Sequence, residues 1–498
     1  MNRKPSNPNS NLASSTKEHQ GRGFTFALEA AMTTLACLLG LALVNSFRFP
    51  TPSIIGGFIL SRVSCSLGFL VTVVGAVVVK YSDRYLNGDP RQAEFHRWLA
   101  LSVTSALCVM LADNLLVLVG GWAITSVGLH YLLTHYRSEP DAVKVARKKF
   151  LISRLGDVAL LVAMISIYRT CGTLSLTHLF DQMRESHQIP ITAVWCICLA
   201  AITKSAQFPF HTWLPDTLAA PTPVSALMHA GIINGGGALL LKFAPAIVET
   251  PTAGIFLAMV GSVTMAVGMV SMWGQTSVKR KLAWSTVSQM GFMTAECGIS
   301  AFVAALIHIL GHGLYKATAF LESGTPDPIA PAPRRLTGLG QLGLLVTGCA
   351  LSIPIQFGIH SGAVLPAQGA VIAMTGLAIG HLWVAMHAHL SKNSSRPLNW
   401  ITMLTASQLL GLLSALMFRV ATEIFDLPLP PSSQMATITC AIPVLTLLGL
   451  SLYRTFEAEI SASATGQALI IHSQNGFYIG LVADRLVARI CSPLLTKI

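Results

Sequence analysis

Apolar runs of about 20 residues follow one another along most of this chain, and the connectors between them are too short to form a soluble domain. The hydrocarbon core of a bilayer takes roughly 20 apolar residues per helix. Inside it every backbone N–H and C=O needs a partner within the protein, so such runs fold as helices. Candidate spans lie near 24–46, 54–80, 97–112, 114–135, 151–169, 189–207, 224–246, 253–274, 281–298, 300–322, 337–357, 367–390, 400–420 and 436–453, about fourteen in all. Only 11% of the residues are charged, against about 25% in a soluble domain. There is too little charge to cover a water-facing surface. The sequence predicts an all-α polytopic membrane protein whose surroundings are lipid.

The net charge of +12 does not point to nucleic acid. The basic residues are spread over short connectors, as RKK at 147–149, KRK at 279–281 and RR at 334–335. There they read as orientation signals of cytoplasmic loops. The ten cysteines are scattered, mostly within apolar runs. A helix points Cys196 and Cys198 in different directions. No CxxC pair or Cys/His cluster suggests zinc or iron–sulfur, so no cofactor is expected in this chain. Residues 1–23 are polar and read as a disordered tail. The run from Phe24 reads as a retained helix, because no small-residue cleavage site follows it. Residues 24–460 form the transmembrane domain. Residues 461–498 read as an amphipathic segment at the interface or against a partner. PDPIAPAPRR at 326–335 reads as an extended linker.

One span is interrupted. ITAVWCICLAAIT runs into Lys204, and KSAQFPFHTWLPDTLAAPTPVSALMHAG follows, with Pro209, Pro215, Pro221 and Pro223. Proline removes a donor and clashes with the preceding turn, so the helix breaks. At membrane depth a break survives where protein or a water-filled cavity satisfies the freed groups. A lysine beside such a break is the arrangement expected of an ion pathway. Residues 208–223 read as a short half-helix or re-entrant piece. His211 and Asp216 either line its cavity or cap it.

Other ionisable residues fall within apolar runs: Asp157, His229, Lys242, Lys281, His308, His312, Lys316 and His381. Each is costly in hydrocarbon and therefore a functional candidate. His308, His312 and Lys316 stand at i, i+4 and i+8, on one helical face. A stripe of this kind can pass protons, although polar packing against neighbouring helices would also use it. Lys242 can snorkel from a helix end. Lys281 reads either as a residue of the ion axis or as an interfacial anchor. Gly235, Gly236 and Gly237 suit close helix packing rather than phosphate binding.

The segment from Lys204 to Gly231, with RLGDVALL at 154–161, KRKLAWSTVSQMGFM at 279–293 and HILGHGLYKATAFL at 308–321, resembles the antiporter-like membrane subunits of respiratory complex I and of multisubunit cation/proton antiporters. The resemblance covers roughly residues 100–325. It implies about 14 helices with two inverted five-helix repeats, each containing a discontinuous helix. It also implies Lys204 as the pumping lysine of the first repeat, His229 as its relay histidine, and His308, His312 and Lys316 as the relay between half-channels.

Two departures stand out. The helix at 114–135 reads GGWAITSVGLHYLL, with Ala123 after Trp122 where that family carries a glutamate to pair with the lysine. The second repeat has IPIQFGIHSGAVLPAQGA and then His381, with no lysine. These departures, with ARKKFLISRLGD, resemble the membrane subunits of DAB inorganic-carbon pumps. That likeness implies an ion-conducting subunit, with protons as the cation, that drives CO2 or bicarbonate accumulation. It also implies a large peripheral zinc partner resembling a β-carbonic anhydrase, with the zinc held in the partner. Two other readings stay open: a proton-translocating subunit of complex I or a cation/proton antiporter, and a membrane anchor with a degenerate channel.

Overall fold

The computed structural model describes residues 8–48, 52–186, 189–324, 336–359, 364–390, 396–429 and 432–495. In chain order the helices are α1 (Pro8–Ser46), α2 (Arg62–Tyr85), α3 (Gln92–Leu111), α4 (Leu115–Leu133), α5 (Pro140–Cys171), α6 (Leu176–Ser186), α7 (Ile191–Lys204), α8 (Thr222–Ala230), α9 (Gly235–Lys242) and α10 (Ala244–Val248). They continue with α11 (Pro251–Trp273), α12 (Val278–Gly298), α13 (Phe302–Leu321), α14 (Gly338–Ile359), α15 (Pro366–Leu390), α16 (Arg396–Ile424), α17 (Gln434–Thr455), α18 (Glu457–Ser461), α19 (Ala464–Gln474) and α20 (Ile479–Leu495).

Each of the fourteen expected runs is helical over most of its length. Ten helices among the described residues are long and apolar enough to cross a membrane, and the chain is a multi-pass membrane protein. The other four runs are α3, α7, α12 and α13. Helix α7 has 14 residues. The other three have the length but carry more polar side chains, those of α13 including His308, His312 and Lys316.

Three local expectations change. The span predicted over 54–80 begins instead with a hairpin of β1 (Ser53–Ile55) and β2 (Phe58–Leu60), in which Ile54 faces Ile59. Gly56 and Gly57 turn it with φ of 58° and 86°, a conformation that favours glycine at both central positions of a tight hairpin. Helix α2 then starts at Ser61, whose side chain exchanges a reciprocal cap with Ser64. Residues 8–22 of the tail read as disordered lie within α1. The implied second discontinuous helix has no counterpart within α14 or α15, and α14 runs through Pro354. The linker at 326–335 lies outside the described residues.

The chain divides into two compact units. The first holds residues 1–150, 217–232 and 313–322. Its core packs α1 on α2, α2 on α3 and α3 on α4, around Leu67, Val74, Val78, Leu99, Val103, Leu118 and Trp122. Two connectors meet at its edge, where Asp89 Oδ2 lies 3.0 Å from His135 Nε2 and Arg91 donates to the His135 carbonyl.

The second unit holds residues 151–216, 233–312 and 323–498. Its closest helix pair is α11 with α12. Gly254 and Gly261 of α11 lie against the backbone of Gly298, Gly291 and Ala295. A Cβ at Gly254 would stand 2.8 Å from the Gly298 carbonyl oxygen. Small residues let backbones approach where lipid supplies no hydrophobic drive between helices.

Candidate functional site

Helix α7 ends because its C-terminal turn cannot continue. Ala206 takes φ of +48°, and Phe208–Pro209 is cis. Two 3-10 turns follow, Phe210–Trp213 and Thr217–Ala219. Pro221 then caps α8, and Pro223 occupies its first turn, where a missing N–H costs nothing. The freed backbone groups find partners in the protein. Phe208 N donates to Thr264 Oγ1 at 2.9 Å, Gln207 N donates to the Ile202 carbonyl at 2.9 Å, and Ser205 Oγ donates to the Ile233 carbonyl at 2.7 Å. These three bonds lie within the second unit. His211 is buried there between the Phe208 and Trp284 rings, with centroids at 5.9 and 5.7 Å.

Lys204 is the last residue of α7. Gly156 brings α5 against α7, because a Cβ there would overlap Thr203 Oγ1. That approach sets Asp157 and Arg154 within electrostatic reach of Lys204. Arg154 Nη2 and Asp157 Oδ2 form an ion pair at 2.6 Å. The charges beside Lys204 thus include one carboxylate held by one guanidinium, both from α5. On α4, in the first unit, no acid accompanies Trp122. There Lys149 Nζ, buried, donates to the Ser126 carbonyl at 2.8 Å.

In the first unit His229 and Lys316 are both about 1% exposed. Gly313 of α13 approaches the Ala230 carbonyl so closely that a Cβ would stand 2.8 Å from it. The His229 ring stacks on Phe320 at 4.2 Å. Lys316 lies within electrostatic reach of His229.

In the second unit His308 Nδ1 lies 2.8 Å from Glu296 Oε2, and both side chains are largely buried. The turn between α12 and α13 makes this contact. Ser300 takes φ of +60°, and Ala301 N donates to the Glu296 carbonyl at 2.8 Å, which turns the chain from α12 into the start of α13. The Phe292 ring lies edge-on to His308 at 5.3 Å, and His312 follows at 6.1 Å.

The sequence-predicted residues thus fall into three groups: Lys204 with Asp157, His229 with Lys316, and His308 with His312. Two candidates stay outside them. Lys281 is exposed in the first turn of α12. There KRK leads the helix, and Lys281 joins none of the three groups. His381 is half-buried on α15 within electrostatic reach of Arg454. The sequence reading missed Arg154 and Glu296. Glu296 could have been found, since it is the only acidic residue between Glu249 and Glu322.

The sequence profile described as "NADH:quinone oxidoreductase/Mrp antiporter, TM" matches residues 112–327. That segment is similar to the antiporter-like membrane cores the profile describes. It contains all three groups and the break after α7. A "Probable inorganic carbon transporter subunit DabB2" of Halothiobacillus neapolitanus is 42% identical over 262 residues, which is 52% of this chain and 48% of the relative. A "Probable inorganic carbon transporter subunit DabB" of Hydrogenovibrio crunogenus is 38% identical over 296 residues, 58% of this chain and 57% of the relative. The NADH-quinone oxidoreductase subunit L of Mycobacterium tuberculosis is 34% identical over 272 residues, 54% of this chain and 43% of the relative. The chain spans about half the length of the curated relatives it matches. In fold it is similar to the Mrp complex from Dietzia sp., with a TM-score of 0.55, 24% identity, and coverage of 95% of this chain and 57% of that one. The antiporter-like core found by comparison coincides with the motif-bearing stretch, roughly 100–325, that carries the resemblance.

Proposed function

We propose that this chain is the membrane subunit of an energy-coupled inorganic-carbon uptake pump in a bacterial inner membrane. It conducts protons through its antiporter-like core to drive a large peripheral DabA-like zinc protein that resembles a β-carbonic anhydrase. The observation that carries this reading is the ranking of relatives over one segment. Inorganic-carbon transporter subunits are 38–42% identical there, against 34% for a complex I subunit. Helix α4 supports it, since it lacks the acid expected of complex I subunits and Lys149 bonds to its backbone instead. Zinc chemistry belongs to the partner.

Within this chain the reading assigns proton loading to Lys204 beside Asp157 and Arg154. It assigns a second station to the His229–Lys316 pair, and makes α13 the helix that carries His308, His312 and Lys316. A lysine suits such a role because, unlike arginine, it can release its proton in a protein. The competing assignment, a subunit of complex I or of a cation/proton antiporter, predicts flux without any carbon phenotype.

The test is growth of a carbonic-anhydrase-deficient bacterial host at ambient CO2. The host expresses this chain with and without a large zinc-protein gene encoded beside it. Rescue that needs both genes and is lost in Lys204→Ala is the expected result. No rescue by an assembled pair refutes the carbon reading in favour of the competing one.

A further inference from the structure

Glu296 is an acid that none of the motifs required. It lies two residues before the end of α12, and its side chain is only about 7% exposed. A carboxylate at that depth needs a partner, because an isolated buried charge is expensive. The partner is the first histidine of the α13 stripe. His308 Nδ1 stands 2.8 Å from Glu296 Oε2, and His308 Nε2 is buried with no hydrogen-bond partner among the described residues. The remaining titratable groups near the pair are His312, one turn further along α13, Cys297 beside Glu296, and Cys198 of α7 within reach of Cys297. Helices α11, α15 and α17 present Ala258, Ala367, Ala370, Met374 and Cys440 in this region. Helices α11 and α15 contain no lysine or arginine.

We propose that Glu296 and His308 form a proton-holding carboxylate–imidazole pair at the α12 end of the histidine stripe. This rests on the proton-translocating reading above and adds to it an acid that positions and charges the first histidine. An ionised carboxylate only accepts, so Nδ1 carries the hydrogen and Nε2 presents a lone pair. Taking one proton on Nε2 gives an imidazolium held by the carboxylate. Releasing it from Nε2 restores the neutral ring. Only an N–H bond forms and breaks, and no further reactant is needed. Without Glu296 the ring would lose both its fixed tautomer and the anion that stabilises its loaded form.

The experiment uses the full chain, purified in the assembly it forms in its host. Infrared difference spectra are taken between about pH 5 and 8, the range in which a histidine titrates. Proton flux is measured in proteoliposomes over the same range. The wild-type protein should show a reversible carboxylate band that responds to the imidazole titration. Glu296→Gln keeps shape and an acceptor for Nδ1–H. It should abolish that band and alter the pH profile of flux over this range. Glu296→Asp should keep the band and most of the flux. A wild-type band and pH profile in Glu296→Gln, or equal losses in the Asp and Gln variants, overturns the proposal. If the Gln variant fails to assemble, His308→Gln decides: the Glu296 band must move, and an unmoved band refutes the pair. The infrared titration is independent of what is transported. A protein that shows the band and fails to support carbon uptake counts against the carbon reading and leaves the pair standing.

Discussion

Gly236→Ala should disable the antiporter-like core without touching an ionisable residue. Gly236 lies in the first turn of α9, facing the end of α7. An added methyl would stand 3.0 Å from Ser205 Cβ and closer still to the Ala201 carbonyl and Ser205 Oγ, whereas ordinary contact begins at 3.4 Å. The carbonyl belongs to backbone and Ser205 Oγ is tied to Ile233, so neither can rotate away. Helices α7 and α9 must therefore separate by roughly half an ångström to one ångström, at an overpacking cost of about 1–3 kcal/mol. Ala201 and Ser205 flank Lys204, so the displacement is delivered to the lysine. Misplacing a reacting group by about 1 Å can cost on the order of a hundredfold in rate. Proton flux in proteoliposomes should fall at least tenfold, and the unfolding temperature should drop. Gly120→Ala on α4, with nothing within 4 Å of its added Cβ, is the control and should leave both unchanged. Wild-type flux and stability in Gly236→Ala would refute the claim that this glycine sets the position of Lys204.

Three further outcomes follow from the same geometry. Asp157→Asn leaves Arg154 as the charge beside Lys204, and flux should fall about tenfold, the equivalent of losing about 1.4 kcal/mol at the rate-limiting step; wild-type flux in that variant would remove Asp157 from the site. Lys204→Arg should fail as completely as Lys204→Ala, since arginine does not release its proton in proteins, and flux in the Arg variant would show that position 204 needs only a fixed positive charge. Asp89 lies in a connector outside the spans: burial would raise its pKa, but the Arg91 N–H and the His135 hydrogen bond and charge outweigh burial and hold it below the usual carboxylate range. A depressed carboxyl stabilises the fold above its unfolded value of about 3.9 and loses that contribution as pH falls through the folded value. The stability gap between the wild type and Asp89→Asn, about 1–2 kcal/mol, should be full near neutrality and close below about pH 4 in a thermal-shift series; a gap that persists in acid would exclude the charge as its source.

The sequence by itself determined the class of the molecule. Apolar runs with so little charge have no fold other than membrane helices, and each expected run is helical for that reason. The prolines after Lys204 determined that one helix breaks, because their chemistry is local. The i, i+4, i+8 spacing of His308, His312 and Lys316 put them on one face before any tertiary contact was known. The hairpin at 53–60 was hidden, because IIGGFIL is as apolar as a helix and only the positive φ of its two glycines separates them. Which acid meets which base was hidden as well. Asp157 comes to Lys204 through the small surface of Gly156, and Glu296 comes to His308 through the turn at Ser300. Both depend on how two helices approach each other, a distance set by packing between residues far apart or folded back in the chain. Periodicity tells which face of a helix a residue occupies; only the tertiary structure decides what stands opposite that face.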